Sequence, residues 1–107
     1  MNKSIYKLST KDQIDWLARF VIVHSIIYYE WDYNVVSDKK YDEYARYLAA
    51  LVKENPEEVK SCYYYYVIYD FDGSTGFDLR GRLTEPDNDY VSLLALHVMQ
   101  DNKKSKK

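Results

Sequence analysis

Three aspartates and three tyrosines mark one short stretch of the chain: Tyr28-Tyr29-x-x-Asp32-x-x-x-x-Ser37-Asp38-x-x-Tyr41-Asp42. On a helix Asp38 and Asp42, four residues apart, share a face, and Tyr41 lies beside Asp38. If Tyr28 and Tyr29 end the preceding helix, a tight turn brings all five side chains to one end of a helical hairpin. Phenol rings stack on a flat heterocycle, and a cationic ring gains about 0.5–2 kcal/mol of cation–π attraction. Carboxylates accept hydrogen bonds from ribose hydroxyls or a carboxamide. A pyridinium nucleoside suits this set. Trp31 and Tyr33 are the neighbouring rings able to fill such a pocket instead. The bland alternative also stands: Ser-Asp is ordinary capping at a helix start, and Tyr41 and Leu48 serve equally well as core.

The elements that must position these residues are legible nearby. Thr10 followed by Gln13 reads as a capping box, with Thr10 as N-cap of a helix running to about Trp31. Ile14, Leu17, Val21, Ser25 and Tyr28 form one stripe, and Trp16, Phe20, Val23 and Ile27 another, so this helix should be covered on two sides. Ser37 caps a second helix with Asp38 in its first turn. Tyr41, Tyr44, Leu48, Leu51 and Val52 follow at helical spacing, and Asn55-Pro56 stops it. A short connection makes the two helices antiparallel neighbours.

Residues 62–69, Cys-Tyr-Tyr-Tyr-Tyr-Val-Ile-Tyr, are aromatic and β-branched and read as a strand. That strand would turn Tyr64 and Tyr66 to one face and Tyr63 and Tyr65 to the other, one packing inward and one offering phenols to a partner or to water. Residues 70–76 read as a hairpin loop with Gly73 and Gly76 at positive φ, and residues 77–83 as the returning strand. Thr84 caps a last helix with Tyr90, Leu93, Leu94, His97 and Val98 as its apolar stripe, and the chain should fray from Asn102. The expected fold is therefore α+β: an antiparallel helical hairpin (10–56) packed with a two-stranded β-hairpin and a C-terminal helix (61–102). One domain spans 1–102, and 103–107 form a flexible basic tail.

The stretch from Tyr28 to Pro56 resembles the N-terminal helical subdomain, called Ia, of NAD-dependent DNA ligases. That subdomain carries a helix ending in Tyr-Tyr or Tyr-His, a loop, Ser- or Pro-Asp-x-x-Tyr-Asp, and a Leu-rich helix ending in His- or Asn-Pro. In the family it grips the nicotinamide mononucleotide half of NAD. The resemblance implies that Tyr28, Tyr29, Asp38, Tyr41 and Asp42 are nicotinamide-side residues, with Tyr29 where some members have His. The departures are as informative. The family's Lys-x-Asp-Gly nucleophile motif is missing: the sole Asp-Gly is Asp72-Gly73, and Asp70 stands at the lysine position. No ligase activity is expected of this chain. The implied function is a non-catalytic, phage-type module that binds NAD or its mononucleotide half weakly, or modulates a nucleotide-using enzyme. The alternative is a protein–protein interaction module using its Tyr-rich surface.

Composition narrows the classes. At 107 residues one domain is the natural expectation. Four of the fifteen Lys and Arg lie in the last five residues, leaving eleven cations against seventeen acids, so the body is acidic and poorly suited to gripping nucleic acid directly. The single cysteine, Cys62, excludes an intrachain disulfide and a Cys-based zinc site, and reads as a small hydrophobe. No signal-peptide pattern is seen, and the most apolar run, residues 20–29, is too short to span a bilayer, so a cytoplasmic protein without membrane contact is expected. Thirteen Tyr against three Phe suggests a contact surface, a polar-lined pocket, or Tyr standing in for Phe in the core. Asp70-x-Asp72-Gly73 imitates the start of a haloacid-dehalogenase site, but too few residues follow for that fold. Asp70, Asp72 and Asp78 could offer oxygens to a divalent cation, though a calcium loop needs more ligands in a fixed order, and no metal is expected. His24 and His97 both read as partly buried, hydrogen-bonded residues on apolar faces.

Overall fold

The computed structural model describes residues 3–73, 76 and 78–105. After a 3-10 turn at Lys3–Lys7, α1 spans Thr10–Ser25 and widens into a π-helical turn at Ile26–Glu30. α2 spans Asp38–Glu54, α3 Pro56–Lys60 and α4 Tyr65–Ile68. A 3-10 turn at Leu79–Arg82 leads into α5, Glu85–Ser105.

α1 is the central post. Ile14, Leu17, Ala18, Val21 and Ile22 are completely buried, and α2, α3 and α5 pack around it. Burying each Leu or Ile there contributes roughly 1.5–3 kcal/mol. The expectation of a helix covered on two sides holds. Its cap lies one residue earlier than expected: Ser9 Oγ accepts the Asp12 amide. Gln13 serves as a tie, donating to the Leu8 carbonyl and accepting from Tyr47. α2 begins and ends as its sequence indicates, with Ser37 Oγ accepting the Lys40 amide and Asn55 closing it before Pro56. Its buried residues, Tyr44, Ala45 and Leu48, face α1.

The β-hairpin is not formed: no strand occurs among the described residues, and the fold is helical. Residues 58–71 wind through successive i→i+3 and i→i+4 bonds, from Ser61 N–H to the Glu58 carbonyl through Phe71 N–H to the Ile68 carbonyl. Val59, Cys62, Tyr64, Val67, Ile68 and Phe71 are the buried positions, a helical period in place of an alternating one. An isolated two-stranded hairpin is marginal, and no third strand among the described residues supports one here. Instead α3 buries its apolar side against α1, and α4 packs against the 3-10 turn at Leu79–Arg82. Residues 79–82, expected as the return strand, form the 3-10 turn; Phe77 of that expected strand, and Ser74 and Thr75 of the loop, lie outside the described residues. Gly73 does take a positive φ of 85°; Gly76 does not. Tyr64 is buried and Tyr66 half-buried, whereas Tyr63 and Tyr65 are exposed, so the inward and outward sets are the expected ones although the strand is absent.

Three clips hold the second half. Arg82 pairs with Asp70 through two nitrogens (2.5 and 3.2 Å), donates to the Val67 carbonyl and lies 5.1 Å over the Tyr69 ring. Asp87, buried near the start of α5, accepts from the Tyr63 and Tyr66 hydroxyls, which hold its carboxyl below the usual range. Asp15 accepts the Tyr63 amide. α5 starts after Thr84 as expected, but its inward face is Asp87, Val91, Ala95 and the half-buried Leu94 and Val98. Tyr90, Leu93 and His97 are exposed, so the apolar stripe is rotated from the expected one. The helix continues past Asn102 to Ser105, with Asn102 accepting the Tyr33 hydroxyl at 2.9 Å; Lys106 and Lys107 of the basic tail lie outside the described residues.

The turn from α1 into the connection is closed by Asp32 at φ 48°. Tyr33 N–H reaches back to the Ile27 carbonyl, a left-handed helix cap lengthened by one residue to fit the π-helical turn. A β-branched side chain is a genuine outlier in that conformation. Asp32→Val is therefore expected to lower stability by about 1–2 kcal/mol, measured as a shift in the urea midpoint at unchanged slope, while Asp32→Gly is tolerated.

Candidate functional site

The open end of the α1–α2 hairpin encloses a cavity of about 240 Å³. Three segments make its wall. The π-helical turn keeps Ile26 and Ile27 in the core, while Tyr28 and Tyr29 leave it, about two-fifths exposed, their rings 4.9 Å apart and edge to face. The first turn of α2 presents Asp38, Tyr41 and Asp42. The connection contributes Tyr33, Asn34, Val35 and Val36. Tyr28, Tyr29, Asp38, Tyr41 and Asp42 all line this one cavity. π-helical turns recur at functional sites because the extra residue re-aims the side chains that follow.

Of the two rings able to fill the pocket, Tyr33 is tethered in its wall. Tyr33 lines it, but its hydroxyl is drawn away to Asn102 on α5 and its ring lies 5.1 Å beneath the Lys103 ammonium. Trp31 does not line the cavity.

Tyr41 offers its ring more than its hydroxyl. The Ser25 hydroxyl donates to the Val21 carbonyl at 2.7 Å, so its one proton is used and Tyr41 donates to Ser25 Oγ at 2.8 Å. Burial holds the Tyr41 phenol above its ordinary pKa, so it stays protonated. Gly76 presses against this pair: a Cβ there would lie 2.5 Å from the Tyr41 hydroxyl oxygen and closer still to Ser25 Oγ.

Asp38 and Asp42 are exposed, and no ion pair among the described residues engages either. No Lys or Arg lines the cavity. Behind it sits His24, against Phe20 at 4.3 Å. Burial and the nearby Lys40 push its pKa down to about 4, so it is neutral at pH 7. The cavity thus combines four phenol rings, two carboxylates and a neutral imidazole, a lining that favours a flat cation over an anion.

His24, Ile27 and residues 34–36 were not expected at the site. His24 is four residues before Tyr28, a helical neighbour, and this spacing is the signal that could have found it. His97 is exposed, not partly buried. Asp70 is engaged by Arg82, which lowers its pKa, and no cluster of three His, Cys, Asp or Glu placed for a metal ion occurs among the described residues. Cys62 is buried and free, its thiol pushed up to about 11 by burial, consistent with a packing role. Among the described residues no helix is long and apolar enough to cross a membrane. Compared with protein-family models, curated proteins and solved structures, the chain finds no match.

Proposed function

We propose that this chain is a non-catalytic binding module that takes the nicotinamide mononucleotide half of NAD in the hairpin cavity. The supporting observation is the convergence of Tyr28, Tyr29, Asp38, Tyr41 and Asp42 on one acidic, aromatic cavity, in the pattern that resembles the ligase Ia subdomain. Its size agrees with part of a ligand: about 240 Å³ falls below the roughly 300–1,000 Å³ of sites that enclose whole drug-sized molecules. The pyridinium ring stacks among the tyrosines, and the two carboxylates take ribose hydroxyls and balance the ring charge. Affinity is weak, because a shallow site on one domain covers only one side of the ligand.

Titration of NMN into the labelled protein, followed by amide shifts, tests this. Saturable shifts confined to residues around Tyr28, Asp38 and Tyr41 are expected. Asp38→Ala with Asp42→Ala should weaken binding at least tenfold, since each charge-assisted hydrogen bond is worth about 1.5–3 kcal/mol. Unchanged spectra at millimolar ligand would overturn the reading.

A second reading has one observation in its favour. Tyr63, Tyr65 and Tyr69 are exposed, yet Asp87 holds the Tyr63 hydroxyl and Arg82 stacks on Tyr69, so phenol rings stand fixed at the surface. Rings ordered in advance cost little entropy on docking to a protein.

A further inference from the structure

A second cavity, about 580 Å³, opens on the far side of Tyr29. Tyr29 lines both cavities, and Ser25, in the wall of the second, is hydrogen bonded to Tyr41 in the wall of the first. One layer of side chains separates them. Their charged groups differ. The first has two carboxylates and no basic group; the second holds a guanidinium, Arg80, together with the carboxylate of Glu30 that pairs with it.

Arg80 is fixed by two neutral partners on α5. Its Nε donates to Asn88 Oδ1 at 2.9 Å and its Nη2 to Ser92 Oγ at 3.0 Å. These bonds set the plane of the guanidinium and leave Nη1 facing Glu30, whose carboxylate pairs with it. Glu30 is 43% exposed and sits at the end of the π-helical turn, next in sequence to Tyr29. An ion pair with one partner this exposed contributes little and exchanges readily. A guanidinium held in a fixed plane with one outward arm is the geometry that takes a phosphate oxygen in place of a carboxylate.

We propose that Arg80 seats the phosphate monoester of the nucleotide whose ring occupies the first cavity, and that Glu30 holds that seat until the nucleotide arrives. This assignment rests on the nicotinamide-nucleotide reading of the hairpin cavity. It deepens that reading by placing the ligand's cation and its anion on opposite sides of Tyr29. The mononucleotide, carrying both charges, then matches the protein better than the riboside, which carries one.

Nicotinamide riboside, NMN and inorganic phosphate, each titrated into the full chain, separate the two claims. NMN is expected to bind roughly tenfold tighter than the riboside, the worth of one charge-assisted contact. Arg80→Gln should bring NMN down to the riboside's affinity and leave the riboside unchanged. Glu30→Gln should widen the gap several-fold by emptying the seat. In the wild-type protein added salt should narrow the gap, a readout independent of any variant's folding. Equal affinities for NMN and riboside in the wild type, or an Arg80→Gln protein that weakens both ligands alike, would overturn the phosphate seat and leave the ring site standing. Phosphate alone binding as tightly as NMN, whether or not the riboside is present, would mark an independent anion site and overturn it too. Binding of neither NMN nor riboside would overturn both.

Discussion

Gly76→Ala is expected to be among the most damaging single-methyl additions to this protein. The residue lies far along the chain from the hairpin, yet its backbone closes over the Ser25–Tyr41 hydrogen bond. An added Cβ would overlap Ser25 Oγ, stand 2.5 Å from the Tyr41 oxygen and 3.2 Å from a Val21 methyl. None of these atoms is the free end of a flexible chain. Ser25 is buried and committed to the Val21 carbonyl, and Tyr41 is tied to Ser25. The methyl must therefore push the 76 segment outward or break the pair. Overpacking costs about 1–3 kcal/mol, and a buried hydroxyl left without its partner about 1–3 kcal/mol more. A loss of about 3 kcal/mol in urea unfolding is expected, accompanied by weakened NMN binding as the Tyr41 ring moves. A loss below about 0.5 kcal/mol, the range of ordinary surface changes, would show that Gly76 does not press on the site.

The second large effect is a loss of stability in mild acid, centred on His24. Its imidazole is buried against Phe20 and faces Lys40, so the folded protein holds it neutral until about pH 4. In the unfolded chain it takes a proton near pH 6.5. Between these values the unfolded state binds the extra proton, so stability is full above about pH 6.5 and falls as pH drops toward 4. A separation of this size corresponds to about 3 kcal/mol at 1.36 kcal/mol per pKa unit. Denaturant unfolding at pH 7 and pH 4.5 should show most of that loss. His24→Phe removes the titrating group while keeping an aromatic ring on Phe20, so the slope over this window should largely vanish. A slope unchanged in His24→Phe would assign the acid sensitivity elsewhere.

The first half of the chain was legible because its signals are local. Ser37 caps α2, Pro56 follows its end, and the apolar stripes of α1 and α2 repeat at the helical period. At residues 62–69 side-chain type and period point to different structures. Tyr, Val and Ile favour strands, but their buried set, Val59, Cys62, Tyr64, Val67, Ile68 and Phe71, fits short helical windings. For α5 the sequence marks the start of the helix but not its buried face. Tyr90 and Leu93 are apolar and helically spaced with Leu94, whereas the inward row runs through Asp87, a charged residue made burial-compatible by two phenols. The core of the candidate site was readable because its five residues sit in one hairpin. Gly76 and Arg80 were not, because only the folded chain brings them beside Tyr41 and Tyr29. The π-helical turn that aims Tyr28 and Tyr29 also leaves no local mark, since an extra residue per turn changes no residue type.

In the proposed complex a pyridinium ring lies among these tyrosines. This placement is tested most directly by isotope-filtered NOEs between the nicotinamide ring protons of bound NMN and the aromatic protons of the labelled protein. The account predicts cross-peaks to Tyr28, Tyr29 and Tyr41, absent in the Asp38→Ala, Asp42→Ala protein. Cross-peaks to Tyr63, Tyr65 or Tyr69 in their place, or none at a ligand concentration that saturates the amide shifts, would contradict it.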